Sequence, residues 1–146
     1  MSSDAIRLQR LEKTMLDAYY ATFRNGRYHA EDTYRVGSSA EVASFVTILA
    51  SVDTGDAKIY RTTDESSQSL PQELLLAGIR DGRRGAMYFV DDTGEFYTKG
   101  SGPAESAVYG EDDFPPECEV PVTSIAQAIS EFLTTGKRPT CVKWQK

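Results

Sequence analysis

Two segments of the C-terminal part decide the fold: GAMYFVDDTGEFYTKG at residues 85–100, and TSIAQAISEFLTTGKRPTCVKWQ at residues 123–145. The first is an apolar run, a turn and an alternating run, a pattern that predicts two antiparallel strands. The second has apolar residues at helical spacing up to Gly136, which predicts a helix that ends there. Pro139 then favours an extended run that carries the only tryptophan, Trp144. The predicted order is therefore a strand pair, a helix and a final strand.

Length and charge restrict the class of protein. The chain has 146 residues, of which 40% are hydrophobic and 10% aromatic, which is ordinary for one globular domain with a packed core. Its formal net charge at pH 7 is -6. Surfaces that bind nucleic acid or anionic lipid need clustered positive charge, so we expect no direct contact with nucleic acid or membrane. An acidic surface attracts a cationic partner over long range.

Targeting signals and cysteines indicate the compartment. The apolar runs fall well short of the roughly 18 residues of a membrane-spanning helix. The charged start MSSDAIRLQRLEK lacks the apolar centre of a signal peptide. The two cysteines, Cys118 and Cys141, are too few for a disulfide framework. We expect both to be reduced thiols in a cytoplasmic protein, with a single disulfide as the less favoured alternative.

The N-terminal segment is predicted to be a helix from Ser3 to Arg24. Apolar side chains recur there at spacings of three and four residues, as on one face of a helix. These residues are Leu8, Leu11, Met15, Ala18, Tyr19 and Phe23. Asn25-Gly26 follows directly and is typical of the left-handed backbone that ends a helix.

The middle of the chain contains further local signals. Ser38 and Glu41 have the spacing of a capping box, which predicts that a second helix starts here, and Ser124 with Gln127 predicts the same for the C-terminal helix. Asp81-Gly82 is the strongest hairpin signal in the chain. The strands predicted around these signals are Arg27–Val36, Ala57–Thr62, Glu73–Arg80, Arg83–Asp91 and Glu95–Lys99.

These elements predict an α+β fold over one domain, residues 1–146. We expect a mostly antiparallel sheet of about five to seven strands, with the second and C-terminal helices packed on one face. The additional N-terminal helix, residues 1–25, is predicted to pack beside them as an extension.

A long acidic loop, SGPAESAVYGEDDFPPECEVP at residues 101–121, separates the predicted strands from the C-terminal helix. It contains six Asp or Glu residues and no basic residue, with Tyr109 and Phe114 among them. Loops of this length in a compact domain are usually functional or disordered. One interpretation is a mobile loop whose aromatic residues pack on the core. The favoured hypothesis is a binding loop, in which aromatic anchors are surrounded by acids that select a cationic partner.

Residues that could support catalysis or metal binding are sparse. The chain has a single histidine, His29, and no motif with zinc-ligand spacing. The glycines of GSGP at residues 100–103 precede no helix start, so they do not form a phosphate loop. Acid pairs such as Asp91 and Asp92 lie in turns, where carboxylates are usually solvated. We therefore expect no metal, no cofactor and no catalytic residue.

Several features of the C-terminal part occur in the order found in a known family. They are the strand GAMYFVD, the turn into EFYTKG, an acidic variable loop and the segment SEFLTTGKRPTCVKWQ. Together they resemble immunity protein family one, from bacterial polymorphic and contact-delivered toxin systems. The resemblance extends from about Ser38 to Gln145 and is clearest in TTGKRPTCVKW. Arg138, Pro139 and Trp144 match the motif of that family, and we interpret them as structural.

The resemblance implies a non-enzymatic cytoplasmic inhibitor of a toxin encoded beside it, often a deaminase; a nuclease is the less favoured choice. A toxin that acts on nucleic acid needs a positively charged groove for the phosphate backbone. An acidic surface can occupy that groove and block the active site. The residues predicted to bind the toxin are Tyr109, Glu111, Asp112, Asp113, Phe114 and Glu117, followed by Asp91, Asp92 and Glu95.

Two other classes of function stay open on the sequence alone. A non-catalytic adaptor or secretion chaperone would be favoured if the N-terminal helix exposed its apolar stripe. A carboxylate-dependent enzyme would need a pocket with two convergent acids and a shifted pKa.

Overall fold

A computed structural model describes residues 14–63, 73–109 and 112–146. Ten strands and two helices are formed by these residues. In chain order they are β1 (Thr14–Arg24), β2 (Arg27–Val36), α1 (Ser39–Leu49), β3 (Thr54–Thr63), β4 (Leu74–Arg80), β5 (Arg84–Asp91), β6 (Gly94–Lys99), β7 (Ala107–Tyr109), β8 (Asp112–Phe114), β9 (Val120–Pro121), α2 (Val122–Thr135) and β10 (Lys143–Gln145).

Eight of the strands form one antiparallel sheet in the order β10-β6-β5-β4-β3-β1-β2, with the short β9 paired to the start of β5. Strands β7 and β8 form a separate two-stranded hairpin. The predicted α+β class and the mostly antiparallel sheet are confirmed. The predicted strand number was too low, because β1 and the two-residue strand β9 were not recognised as strands.

The predicted N-terminal helix is wrong over the described part of its range. Residues Thr14–Arg24 form β1, which pairs with β2 on one side and β3 on the other. Alternate residues Leu16, Ala18 and Tyr20 are buried, which is the period of a strand. The residues predicted to end the helix, Asn25 and Gly26, instead form a two-residue hairpin turn with φ of +55° and +76°. Residues 3–13 of the prediction lie outside the described residues.

Both described helices pack on the same face of the sheet, as predicted. Their apolar residues meet the buried face of β1, β3, β4 and β5 in one core, in which the Phe89 and Phe132 rings lie 5.9 Å apart. The predicted capping box at the start of α1 is confirmed, since the Glu41 backbone N–H donates to Ser38 Oγ over 3.2 Å. The predicted box at Ser124 is wrong, because α2 already begins at Val122. Gly136 ends α2 in the left-handed conformation, as predicted.

The opposite face of the sheet carries a second, smaller core under the β7–β8 hairpin. Six buried residues form it: Leu76, Ala86, Ala107, Tyr109, Phe114 and Cys118. Gly78 of β4 lies directly beneath the Tyr109 ring, where the Cβ of any larger residue would lie only 2.7 Å from Tyr109 Cδ1. The favoured hypothesis from the sequence placed the acidic segment outside the core. Four of its residues instead pack in this second core: Ala107, Tyr109, Phe114 and Cys118.

Several local predictions agree with the structure. The hairpin turns after β4 and β5 form at the predicted places; the first includes Arg83 as well as Asp81-Gly82, and the second is Asp92-Thr93. Trp144 lies on the final strand, β10, and its Nε1 donates to the Pro139 carbonyl over 2.7 Å. Cys118 and Cys141 are both free thiols. None of the described helices is long and apolar enough to cross a membrane.

Candidate protein-binding surface

The position of the β7–β8 hairpin is fixed by a buried carboxylate, that of Glu119. Its Oε2 accepts a hydrogen bond from the Tyr109 hydroxyl over 2.5 Å and lies 2.6 Å from Arg80 Nη2. The Glu119 side chain is only 1% exposed. The burial of Tyr109 raises the pKa of its hydroxyl, and the bond to Glu119 raises it further, so the hydroxyl stays a donor. The hairpin is therefore held by a charge-assisted contact, which is stronger than a neutral hydrogen bond.

The acidic side chains of β8 point away from this buried contact. Asp112 and Asp113 are both exposed, whereas the next residue, Phe114, is buried. Asp113 lies opposite Val108, which is itself 59% exposed. The hairpin thus buries its aromatic residues against the sheet and presents two adjacent carboxylates to solvent.

A shallow groove of about 320 Å³ runs between β8 and the sheet. Its residues are Lys58, Leu74, Leu76, Tyr88, Tyr97, Asp112, Asp113 and Phe114. The Tyr88 and Tyr97 rings lie 5.0 Å apart, and the Tyr88 hydroxyl donates to Glu95 Oε1 over 2.5 Å. Burial raises the pKa of Tyr97, and the negative charges of Glu95 and Asp112 raise it further. Glu95, Asp112 and Asp113 thus surround two tyrosines and form one surface, called here the acidic surface.

The other predicted contacts lie away from the acidic surface. Asp91 stabilises the turn between β5 and β6, because its Oδ1 accepts a hydrogen bond from the Thr93 backbone N–H over 2.9 Å. The pKa of Asp91 is lowered, mainly because the Thr93 hydroxyl donates a hydrogen bond to its carboxylate. Asp92 is exposed in the same turn. Glu117 lies near the far end of β6, and its exposed carboxylate pairs with Lys99 Nζ over 2.5 Å, which lowers the pKa of Glu117.

Two of the predicted contacts are less available for a partner. Tyr109 and Phe114 are only 5% and 2% exposed, and their rings pack edge to face with centroids 5.2 Å apart. Glu111 lies outside the described residues. The arrangement agrees with the alternative that the aromatic residues of this segment pack on the core, while Asp112 and Asp113 remain at the surface.

A second groove, of about 390 Å³, lies where the uncovered part of the sheet meets the tip of β8. We call it the aromatic groove, and its residues are Tyr19, Tyr20, Ala21, Phe23, Tyr28, Glu31, Gly55, Asp56, Lys58 and Asp112. The sequence analysis did not predict this groove, because it assigned the β1 segment to a helix. In that helix Tyr19 and Phe23 belong to the buried face. The alternation of Leu16, Ala18 and Tyr20 was the available signal that Tyr19 faces the other side.

Asp56 is the most perturbed acid of the aromatic groove. Burial is the main cause of a pKa raised to about 8, and a hydrogen bond to Asp112 adds to it. Its Oδ2 is buried and has no hydrogen-bond partner among the residues that the structure describes. Of the residues that the structure describes, Lys58 is the only basic one that lines this groove. In the described ranges, no three His, Cys, Asp or Glu side chains are placed to hold a metal ion.

The fold and these surfaces define an α+β protein that presents acids and aromatic residues beside an antiparallel sheet. A crystal structure of a hypothetical protein from Neisseria gonorrhoeae shares the fold, with a TM-score of 0.55 and 11% identity over 88% of this chain and 92% of that chain. No curated protein matches the sequence significantly. A family profile described as Immunity protein Imm1 matches residues 30–146.

The chain therefore belongs to the Imm1 immunity protein family, as the resemblance predicted. Proteins of this family are non-catalytic toxin inhibitors, and this chain is an immunity protein that neutralises a cognate polymorphic toxin. The family match begins within β2, so β1 and its share of the aromatic groove precede the matched range.

Proposed function

We propose that this immunity protein neutralises its toxin by placing the acidic surface in the toxin's nucleic-acid groove. The observation that carries the proposal is the exposed pair Asp112 and Asp113, which the buried Tyr109–Glu119 bond holds in place beside Glu95. Among the described residues, neither Asp112 nor Asp113 forms a salt bridge, so their charge remains available to a cationic partner.

The charge of the partner follows from this surface. The net charge of -6 attracts a cationic domain at long range, and a rigid acidic surface then sets the orientation of binding. Toxins that act on nucleic acid carry the positive groove that such a surface fits. We propose a nucleic-acid deaminase as the toxin, on the resemblance described above, and a nuclease as the second choice. Inhibition then results from exclusion of the substrate.

The aromatic residues of the two grooves supply the apolar part of the interface. Tyr and Phe dominate interface energies because they bury large areas at a small entropy cost. Tyr28 is 65% exposed, and the Phe23 ring lies 6.4 Å from it in an edge-to-face arrangement. Asp91, Asp92 and Glu117 remain proposed contacts outside the acidic surface, where a charge affects the association rate more than the affinity.

The test is the salt dependence of association with the toxin domain encoded beside this gene. We expect Asp113→Lys to slow association roughly tenfold or more at low ionic strength, with a smaller effect at high salt. Asp32→Lys is the matched control, since Asp32 is also exposed but lines neither groove. Equal rates for both variants would exclude the acidic surface as the interface.

The deaminase assignment is tested with the same purified toxin domain. We expect it to convert bases in single-stranded nucleic acid and an equimolar amount of this protein to stop the conversion. Strand cleavage without base conversion would identify a nuclease instead, and the proposed blocking of the groove would then apply to that activity.

A further inference from the structure

The aromatic groove has the composition of a site for a guanidinium group. Its walls include the rings of Tyr19, Phe23 and Tyr28, and its acids are Asp56, Glu31 and Asp112. Aromatic faces attract cations, and Arg stacks on them more often than Lys because its guanidinium is planar and weakly hydrated. The Phe23 ring packs closely on the backbone of Gly55, where a Cβ would lie 3.2 Å from Phe23 Cε2.

Asp56 supplies a polar group that the fold itself leaves unsatisfied. A buried carboxyl oxygen without a hydrogen bond costs free energy, and native proteins rarely leave one unexplained. Asp56 Oδ2 is such an atom, and the carboxyl to which it belongs is hydrogen-bonded to Asp112 and to its own backbone. A donor that enters the groove would satisfy it.

We propose that the aromatic groove receives one arginine side chain of the toxin, whose guanidinium hydrogen-bonds Asp56 and Asp112 and stacks between the aromatic rings. This inference rests on the proposed function and names a contact within the same interface. Two carboxylates from different strands suit the forked donors of a guanidinium, which a lysine ammonium cannot match.

The charges around the aromatic groove favour a cationic ligand such as a guanidinium group. The titratable groups around Asp56 are Asp112 from β8, Lys58 from its own strand, and Glu31, Tyr28 and Tyr19 from β2 and β1. Arg80 and Tyr109 lie beside Asp56 in a smaller neighbouring pocket, where Arg80 is paired with Glu119. Among the described residues of the aromatic groove, three acids thus accompany one lysine. His29 lies on β2 as well, but its Nε2 is 3.3 Å from Arg24 Nη2, and it does not line the groove. An entering guanidinium favours the ionised form of Asp56, so binding releases a proton and strengthens as the pH rises toward 8.

The first test needs no toxin. The full chain, labelled with ¹⁵N, is titrated with N-acetyl-arginine methylamide and, separately, with N-acetyl-lysine methylamide. We expect saturable shift changes at the amides of Tyr19, Gly55, Asp56 and Asp112 for the arginine probe, and weaker changes for the lysine probe. The same titration in a His29→Gln background excludes that histidine as the source of any pH dependence.

Variants then separate the site from general charge. Asp56→Asn keeps the shape of the side chain and is expected to weaken arginine binding roughly tenfold and to abolish its rise with pH. Asp32→Asn removes one charge that does not line the groove and should change binding less than about twofold. Equal effects of the two variants, or no saturable binding of the arginine probe, would overturn the arginine site.

Failure of the site and failure of the proposed function are distinguishable. If Asp56→Asn binds the toxin domain as tightly as the natural sequence does, the arginine site is wrong and the inhibitor function stands. If the probe binds as expected and the protein fails to inhibit the toxin domain, the proposed function is wrong. A loss of toxin affinity in Asp56→Asn with retention in Asp32→Asn supports both.

Discussion

The Tyr109 hydroxyl and the buried Glu119 carboxylate are joined by a hydrogen bond of 2.5 Å that connects the β7–β8 hairpin to the segment leading into β9. Because Arg80 neutralises the same carboxylate from the end of β4, three parts of the chain meet at one charge. Asp112 and Asp113 of the acidic surface are therefore carried by a hairpin that packs on the sheet.

Removal of that hydroxyl should loosen the hairpin. Tyr109→Phe leaves the Glu119 carboxylate with one donor fewer in a buried position, a loss worth about 1–3 kcal/mol of the free energy of unfolding. Urea denaturation measures this difference. Tyr28→Phe is the control, because Tyr28 is exposed, and should change the stability by less than about 0.5 kcal/mol. A Tyr109→Phe protein as stable as the natural sequence would show that the bond does not hold the hairpin.

Asp56 should make the protein less stable as the pH rises. The folded protein holds the Asp56 proton up to about pH 8, whereas the unfolded chain releases it near the ordinary value of 3.8. Between these values the folded state binds more protons than the unfolded state, so this contribution to stability is present below pH 4 and lost as the pH rises to 8. Asp56→Asn should therefore exceed the natural sequence in stability by at least about 1 kcal/mol at pH 8.5 and lose most of that gain at pH 4.5.

Denaturation curves at both values of pH check this expectation, with Asp32→Asn as the matched control. A gain that stays constant with pH would mean that Asp56 does not hold its proton in the folded state. A stabilising substitution that weakens toxin binding is the usual behaviour of a functional site.

Arg61 should stabilise the end of α2. Its Nε and Nη2 donate to the carbonyls of Leu133 and Thr134 over 2.9 and 3.1 Å, so a cation binds the negative end of the helix dipole. Arg61→Met keeps the apolar part of the side chain and should lower the free energy of unfolding by about 1–3 kcal/mol. Thermal unfolding measures this difference. Lys143→Met is the control, because it removes the charge of an exposed lysine on β10. Similar losses in both variants would refute a capping role.

Local signals account for the parts of the fold that the sequence predicted. Asp81-Gly82, Gly136 and the Ser38–Glu41 box act within a few residues, and the structure contains each of them where the sequence predicts it. The segment that became β1 has apolar residues that fit both helical and strand spacing. The pairing of this segment with β2 and β3 decides in favour of a strand. Its pairing with β3 joins residues that are far apart in the sequence.

The candidate site, too, was predictable only where a local feature of the sequence indicates it. Asp112 and Asp113 were recognisable as acids in an unusual loop, because composition alone identifies them. The burial of Tyr109 depends on Gly78, which leaves space for its ring from a distant strand. The meeting of Tyr19, Asp56 and Asp112 in one groove depends on three strands that are separated in sequence, and no local pattern indicates it.

The most direct test of the account is co-expression of this chain with the C-terminal toxin domain of the neighbouring large open reading frame. Growth and co-purification are compared for the natural sequence and for Asp112→Lys/Asp113→Lys. We expect the natural sequence to restore growth and to co-purify with the toxin in a one-to-one complex, while the double variant folds but does neither. Equal protection by both proteins would contradict the claim that the acidic surface neutralises the toxin.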